Sequence, residues 1–338
     1  MNIGKFKLID YVGGWEFGKV YHVLDTLLNV ERAIKVIEVN DPEGFIHAIN
    51  EAQILEKCRH NHIVDIKEID IHEIGGTLLP CITTEYLKNG SVQNHIESSF
   101  ISVHKAIRII SEALFGLEHA HGQNIFHRDI KPGNILFSDN WQAKLSDFWL
   151  AYGLAHQTFS FAGYSAHLPP EVIQGIAQDA ISDLYSMGIT FHRLLNNISA
   201  FPLGFTNNDK WLEALQKERF PERLYAPHIP YKITKVVKKS IRADRKARYQ
   251  TCLQFRQALE KIPLAIEWYP IDTNTWEGNY GDEKFNLLLY LKWRGYCIDF
   301  KRNGRKINNK CLTGIGTYDT AREAFFRIIR ETTINLDT

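Results

Sequence analysis

The chain carries the octapeptide His127-Arg128-Asp129-Ile130-Lys131-Pro132-Gly133-Asn134 directly after a long stretch with helical periodicity. An aspartate, a lysine two residues later and an asparagine five residues later therefore share one predicted loop. Asp147 follows Asn134 by thirteen residues. A chance match to so many polar residues in this order and spacing is improbable, so the octapeptide indicates a functional loop and not merely a turn.

Two weaker signals precede the octapeptide. A turn between two predicted strands contains Gly13, Gly14 and Gly18, with Val20 just beyond it. Glycines let backbone N–H groups approach phosphates closely, although a glycine-rich hairpin is more often only a turn. The second signal is Lys35, which lies 17 residues after Gly18 among apolar residues.

Lys35 follows Ala33 on the third predicted strand. One interpretation is an edge-strand lysine that points into solvent. The other is a lysine paired with Glu51, which lies on one face of the next predicted helix. Such a Lys–Glu pair can hold an ammonium in place for phosphate binding.

The periodicity predicts a β-rich segment followed by a helical one. Strands are predicted at residues 6–12, 19–24 and 32–37, then a helix over 45–58, then strands at 63–72 and 77–86. Helical periodicity dominates after Asn89-Gly90 and is clearest over 103–121. We place the domain boundaries so as to give three segments, 1–86, 87–264 and 265–338.

Composition excludes several classes of protein. The 338 residues are 44% hydrophobic and 23% charged, which excludes wholesale disorder, collagen and coiled coil. With 40 Lys plus Arg and 39 Asp plus Glu, the formal net charge is +1. No global field therefore draws the chain to nucleic acid or to an anionic membrane, and any such contact requires a local patch.

The five cysteines are scattered, with no Cys-x-x-Cys pair, which indicates neither a disulfide framework nor a zinc site. The sequence begins without an apolar run of signal-peptide length, and about 18 consecutive apolar residues occur nowhere. We therefore expect a cytoplasmic protein with no membrane partner.

Residues 1 to about 263 resemble a eukaryotic-type protein kinase domain, because the motifs quoted above match that family's signature in order and spacing. Three later segments extend the resemblance: Pro169-Pro170-Glu171, Asp183 to Gly188, and the pair Asp244 and Arg248. In the family, the late arginine pairs with the glutamate of the first segment. The resemblance implies an α+β, bilobal fold with a β-rich N-lobe and a helical C-lobe, followed here by a small C-terminal α+β module.

The resemblance implies a serine/threonine kinase that transfers the γ-phosphate of ATP to protein hydroxyls, including its own. Lys131, two residues after Asp129, is typical of the serine/threonine subfamily. Asp129 would orient the substrate hydroxyl and accept its proton, while Lys131 would steady the γ-phosphoryl group. Asn134 and Asp147 would hold Mg²⁺, a cation that prefers oxygen ligands.

The resemblance also implies a nucleotide site. Lys35, oriented by Glu51, would bind the α- and β-phosphates. The backbone from Glu85 to Leu87 would meet the adenine, with Thr84 as a gatekeeper behind it, although Thr84 can also be read as an ordinary strand threonine. The implied nucleotide-binding residues are Gly13, Gly14, Gly18, Val20, Ala33, Lys35, Thr84, Glu85 and Leu87.

Three positions depart from the family pattern. Trp15 replaces a loop glycine, Trp149 replaces the glycine after Asp147-Phe148, and Tyr164 replaces a threonine that contacts the catalytic loop. These departures are the evidence for an alternative, a catalytically weak or silent nucleotide-binding scaffold. A kinase that acts on small molecules is a third reading. We favour the active enzyme because the residues that handle nucleotide, metal and acceptor are all retained.

The segment between Asp147 and Glu171 contains Thr158 and Ser160. We hypothesise that a phosphate on either residue pairs with Arg128 and orders the segment. Mass spectrometry of active enzyme tests this, because both residues unmodified would contradict it.

Residues 265–338 resemble no family that we can name. Strand-like runs, turns at Arg294-Gly295 and Asn303-Gly304, and a final helix from a capping box at Thr320 predict a small α+β module. Its basic turn at residues 301–306, near Trp293 and Tyr296, suggests nucleic-acid contact, yet a solvated turn is the commoner outcome. With 11 Lys plus Arg and 10 Asp plus Glu, the segment does not favour nucleic acid. We expect it to dock a protein substrate or regulator, or to cap the kinase lobe.

Overall fold

The computed structural model describes residues 2–15, 18–38, 46, 49–50, 53–54, 56–148, 165–201 and 208–336. These residues form two compact units. The first unit comprises Met1–Asn94 and Glu112–Ser186, and the second comprises His95–Ser111 and Met187–Thr338.

The first unit is built on a six-stranded antiparallel sheet in the order β1-β2-β3-β4-β6-β5. Its strands are β1 (Asn2–Ile3), β2 (Phe6–Trp15), β3 (Gly18–Asp25), β4 (Val30–Ile37), β5 (Ile66–Ile74) and β6 (Thr77–Glu85). One face packs around Phe6, Val23, Ile34 and Cys81, all nearly inaccessible to solvent. The strands predicted from alternation are present, since alternation puts every second side chain into this core.

Turn chemistry fixes the hairpins of this sheet. Asp25 accepts hydrogen bonds from the backbone N–H groups of Leu27 and Leu28, at 3.0 and 3.1 Å, and so closes the β3–β4 turn. Gly75 and Gly76 both have positive φ, at 62° and 83°, and make the β5–β6 turn. The helix predicted over 45–58 lies partly outside the described residues, and its described positions from Ile49 to Lys57 are helical.

Among the described residues up to 261, the structure also contains helices and a small hairpin. The helices are α1 (Val92–Ser98), α2 (Val103–Gly122), α3 (Pro170–Ile173), α4 (Ala180–Asn196), α5 (Asn208–Gln216), α6 (Tyr231–Ser240) and α7 (Cys252–Glu260). The hairpin pairs β7 (Ile135–Phe137) with β8 (Ala143–Leu145), with Ile135 opposite Leu145. The long helix predicted over 103–121 corresponds to α2.

The C-terminal segment, within the second unit, is a second antiparallel sheet in the order β13-β12-β11-β10-β9, with β14 paired to β12. Its strands are β9 (Glu267–Pro270), β10 (Thr275–Tyr280), β11 (Glu283–Lys292), β12 (Gly295–Arg302), β13 (Arg305–Lys306) and β14 (Leu312–Ile315). The helix α8 (Tyr318–Ile334) packs on one face and buries Phe325 and Ile329 completely.

Two details of the C-terminal prediction change. The final helix is capped by Thr317, which accepts a hydrogen bond from the Thr320 N–H, so the helix begins before the predicted cap at Thr320. The basic turn around Asn303-Gly304 forms as predicted, with both residues at positive φ. However, Tyr296 and Trp293 lie at the opposite end of β12, and Arg302 and Lys306 pair with Glu283 and Asp299. These contacts disfavour a nucleic-acid site at this turn.

No helix among the described residues is long and apolar enough to cross a membrane.

Candidate active site

The loop after α2 places Lys131 and Asn134 of the octapeptide around the carboxylate of Asp129. Lys131 Nζ lies 2.8 Å from Asp129 Oδ2, and Asn134 Nδ2 donates to the same oxygen at 2.8 Å. Asn134 Nδ2 also donates to the Asp129 carbonyl at 2.8 Å. Burial raises the pKa of Asp129, whereas Lys131 lowers it less strongly. A carboxylate with this balance is suited to accept a proton from a bound hydroxyl.

Asp183, in the first turn of α4, clamps the backbone that leads into this loop. Its Oδ2 accepts from the His127 N–H and its Oδ1 from the Arg128 N–H, both at 2.8 Å. His121 Nε2 lies 2.9 Å from the same Oδ2. The clamp holds Arg128 at a φ of 66°, a left-handed conformation that a residue with a side chain adopts only when its surroundings enforce it.

The β7–β8 hairpin brings Asn134 and Asp147 together. Asn134 directly precedes β7, and Asp147 is the second residue after β8. The Ser146 N–H donates to the Asn134 backbone carbonyl at 3.0 Å. His127 Nε2 lies 2.8 Å from the Ser146 carbonyl, and the His127 ring packs against Phe148 with centroids 4.6 Å apart. Asp147 has a φ of 58°, so its backbone is also held in a left-handed conformation.

Lys35 reaches this hairpin from the sheet, since its Nζ lies 3.0 Å from Asp147 Oδ1. The Lys35 side chain is 10% exposed and that of Asp147 is 46% exposed. Desolvation raises the pKa of Asp147, but the charge and hydrogen bond of Lys35 outweigh it and hold the pKa below its ordinary value. Asp147 is therefore ionised at neutral pH, and its side chain is partly exposed.

The donor set of Asn134 and Asp147 fits a hard cation. The side-chain NH₂ group of Asn134 donates both of its hydrogen bonds to Asp129. The side-chain oxygen Oδ1 of Asn134 is therefore the atom that could bind a cation. Asp147 supplies an ionised carboxylate beside it. Magnesium takes few protein oxygens and keeps several waters, so two such residues at one end of a hairpin suit it.

The sheet places the predicted nucleotide-binding side chains on one face. Val20 pairs with Lys35 across β3 and β4, and Ala33 pairs with Thr84 across β4 and β6. Directly paired residues share a face, as do residues two apart on one strand. Val20, Ala33, Lys35 and Thr84 therefore lie on the same face, opposite the core residue Ile34.

The segment after β6 is pinned through the Glu85 side chain. Glu85 Oε1 accepts from Lys144 Nζ at 2.6 Å and from the Asp65 N–H at 2.8 Å. The Glu85 N–H itself donates to the Asp65 carbonyl at 3.0 Å. Thr84 Oγ1 donates to the Glu85 carbonyl at 3.2 Å, and the N–H of Leu87 has no hydrogen-bond partner among the described residues. Contact of this backbone with an adenine ring remains a prediction.

Some predicted site residues lie outside the described part of the chain. Gly13 and Gly14 are on β2, and Gly18 begins β3, so these glycines flank the tip of the β2–β3 hairpin. The positions not described are Glu51, Trp149, Thr158, Ser160 and Tyr164, together with the side chain of Trp15. The Lys35–Glu51 pair and the two phosphorylation sites remain predictions.

Sequence reasoning did not assign a role to Asp183 or to Lys144, and it did not predict the ion pair between Lys35 and Asp147. Asp183 lies 55 residues after Arg128, and Lys144 lies 59 residues after Glu85. Such contacts between distant parts of the chain carry no local signal. The resemblance of residues 183–188 to a family motif was the one sequence signal that singled out Asp183.

The chain matches the family model described as "Protein kinase domain" over residues 6–261. It is 27% identical over 267 residues to the serine/threonine-protein kinase PknB of Mycobacterium leprae, a match that covers 76% of this chain and 43% of the relative. It is 29% identical over 260 residues to the serine/threonine-protein kinase PrkC of Bacillus subtilis, covering 73% of this chain and 39% of the relative.

A third relative is a probable serine/threonine-protein kinase of Streptomyces coelicolor, 27% identical over 267 residues, or 76% of this chain and 40% of the relative. The chain thus spans about two fifths of the length of the curated relatives that it matches. The family match covers β2 to β6, the octapeptide loop and the β7–β8 hairpin with Asp147 after it. It confirms the predicted α+β kinase fold. The chain belongs to the protein kinase domain family.

Proposed function

We propose that the chain is a protein serine/threonine kinase that transfers the γ-phosphate of ATP to serine and threonine hydroxyls of protein substrates, including its own. The observation that carries the proposal is the arrangement of Asp129, Lys131 and Asn134 on one loop, with the Lys35–Asp147 pair in the same compact unit. The similarity to relatives named as serine/threonine kinases supports this acceptor class.

Each residue has one task in the transfer. Lys35 binds the α- and β-phosphates, and Asp129 orients the acceptor hydroxyl and takes its proton. The acceptor oxygen then bonds to the γ-phosphorus as the bond from that phosphorus to the β,γ-bridging oxygen breaks, and ADP leaves. Lys131 neutralises charge on the transferring group. Positioning and charge neutralisation supply most of the catalysis in such a reaction.

Asn134 and Asp147 would hold magnesium, which supplies positive charge to the phosphates when bound. We also infer a cytoplasmic location, because the substrate ATP is an intracellular nucleotide. We propose that the module at 265–338 docks a protein substrate or regulator. The proposed domain boundaries lie at residues 86 and 264.

The test is incorporation of labelled γ-phosphate from ATP and Mg²⁺ into the protein and into a generic protein acceptor. We expect label with the parent and a loss of at least a hundredfold with Asp129→Asn, because the proton acceptor is removed. Asp139→Asn is the matched control, since Asp139 is an exposed turn residue whose side chain is 67% accessible.

Nucleotide binding is measured beside the transfer assay, with Lys35→Met as the binding-deficient variant. If neither the parent nor Asp129→Asn incorporates label, while the parent binds ATP and Lys35→Met does not, the proposed activity is wrong. The nucleotide-binding scaffold would then be the correct reading.

A further inference from the structure

Positive charge is concentrated on one short stretch of the second unit. Residues 231 to 246 contain seven lysines and arginines but a single acidic residue, Asp244. Four of these residues, Lys232, Lys235, Lys238 and Lys239, belong to α6, and we call them the lysine face. The buried side of the same helix consists of Ile233, Thr234, Val236, Val237 and Ser240.

The lysine face is exposed and is not neutralised. Lys232, Lys235 and Lys239 are exposed and recur at helical spacings of three and four, so their ammonium groups form one stripe. Among the described residues, no carboxylate pairs with any member of the lysine face. Three of the ammonium groups instead lie over tyrosine rings: Lys235 at 4.7 Å from the Tyr231 centroid, Lys238 at 5.5 Å from Tyr225 and Lys239 at 4.5 Å from Tyr249.

Apolar side chains lie exposed beside these cations. Tyr231, at the start of α6, is 66% exposed, and Leu224 is 72% exposed. Leu224 is adjacent to the helix because Arg223 donates to the Ile241 carbonyl at 3.0 Å and the Tyr225 ring lies 5.5 Å from Lys238 Nζ. The patch thus combines a row of ammonium groups with an aliphatic and an aromatic side chain.

We propose that the lysine face, with Leu224 and Tyr231, binds the surface of an anionic lipid bilayer. A row of lysines on an amphipathic helix matches the diffuse negative charge of lipid headgroups, and flanking apolar residues can enter the boundary with the acyl chains. The partner is the headgroup layer as a whole, so no pocket for a single phosphate is required.

Other anionic partners fit these observations less well. An acidic peptide is usually held by a groove or a sheet edge that supplies directed hydrogen bonds, whereas the lysine face is the convex side of a helix. Single-stranded nucleic acid would need several open aromatic rings for base stacking, but Tyr249 is only 5% exposed and Leu224 offers no stacking surface, which leaves the single ring of Tyr231. The lipid surface is the partner that uses every exposed member of the patch.

The chain-wide net charge of +1 is compatible with this proposal, because screening limits each charge to a range of about 10 Å at 0.1 M salt. A membrane would therefore sense the lysine face and not the average over the chain. The net charge excluded only a global attraction to an anionic membrane, and the lysine face is a local patch.

The test is flotation of the full chain with vesicles of phosphatidylcholine containing about 30% phosphatidylserine, at about 0.1 M salt. We expect binding to these vesicles, little binding to pure phosphatidylcholine, and loss of binding at about 0.5 M salt. The triple variant Lys232→Gln, Lys235→Gln, Lys239→Gln should bind about a hundredfold more weakly, at about fivefold per lysine.

The matched control is the triple variant Lys7→Gln, Lys284→Gln, Lys292→Gln, which removes three equally exposed lysines from elsewhere in the chain. It should bind the vesicles like the parent. If both triple variants weaken binding equally, overall charge and not the lysine face is responsible, and the proposal is wrong. A retained circular dichroism spectrum and unfolding midpoint show that each variant is folded.

Leu224→Gln separates a lipid partner from the other anions. Insertion of Leu224 predicts roughly fivefold weaker binding to the anionic vesicles with the salt dependence unchanged. The same proteins are tested against a single-stranded oligonucleotide and a poly-glutamate peptide. The proposal is wrong if the parent does not bind the anionic vesicles. It is also wrong if the parent binds the oligonucleotide or the peptide more tightly than the vesicles and the lysine-face variant loses that binding.

Discussion

At the scale of single residues, Asp183 has the largest influence on the catalytic loop without belonging to it. The carboxylate is 1% exposed and accepts from two consecutive backbone N–H groups, those of His127 and Arg128. A carboxylate offers one oxygen to each of these two N–H groups, whereas an amide side chain offers only one acceptor oxygen. The position of Asp129 therefore depends on a residue that lies 54 positions later in the chain.

We expect Asp183→Asn to lower kcat by about 10- to 100-fold and to change the KM for ATP little. The asparagine would present its NH₂ group to one of the two backbone N–H donors, so the loop would shift. A small misplacement of reacting groups lowers the rate by about this factor. Steady-state kinetics with a protein acceptor measures both constants.

Asp179→Asn is the control for that substitution. Asp179 Oδ1 accepts from the Ile181 and Ser182 N–H groups at the start of α4, a position where asparagine serves as well as aspartate. A kcat equal to that of the parent in Asp183→Asn would show that the clamp does not position Asp129.

At the scale of elements, two tryptophans form part of the core of the C-terminal sheet. Trp268 and Trp276 are 4% and 5% exposed, and the Trp268 indole donates to Thr332 Oγ1 at 3.0 Å. Gly278 allows this packing, since a Cβ there would lie 2.4 Å from Ile266 Cγ2. Both tryptophans therefore bury their rings in the core of this sheet.

Trp276→Ala should destabilise the chain by about 3–5 kcal/mol, because it leaves a large cavity next to Phe100 and Phe326. Trp293→Ala is the matched control, since that tryptophan is 84% exposed and its loss should change stability by less than about 0.5 kcal/mol. Urea unfolding followed by circular dichroism compares the two. Equal midpoints for both variants would contradict the role of Trp276 in this core.

At the scale of the whole molecule, two buried histidines make stability depend on pH. Burial lowers the pKa of both His192 and His228 from the ordinary 6.5 to about 4. His228 packs against the rings of Phe100 and Trp276, with centroids 5.6 and 5.1 Å away. Between pH 6.5 and 4 the unfolded chain therefore binds protons that the folded chain does not.

Stability should accordingly be fully present above pH 6.5 and should fall as the pH drops toward 4. Each histidine contributes up to about 1.4 kcal/mol per pH unit in this window. The variant His228→Phe should lose less stability between pH 7.5 and pH 5 than the parent, as measured by urea unfolding. Tyr249→Phe should behave like the parent, because burial raises the pKa of Tyr249 to about 12, far from this window.

The sequence by itself determined the family, the order of the polar motifs and the strands and helices with clear periodicity. These features are encoded locally: the octapeptide fixes Asp129, Lys131 and Asn134 within five residues, and alternation marks β2 to β4. The short strands β9 and β10 escaped prediction because one ends in Pro270 and the other contains Gly278, which weaken any strand signal.

Only the tertiary structure decided which distant groups meet. Lys35 and Asp147 are 112 residues apart, yet their ion pair sets the charge state of the aspartate that faces the proposed metal. The lysines of α6 likewise form a patch only because Ile233 and Val237 turn the other side of the helix into the core. Spacing and periodicity report local geometry, whereas ion pairs and exposed faces depend on how the whole chain packs.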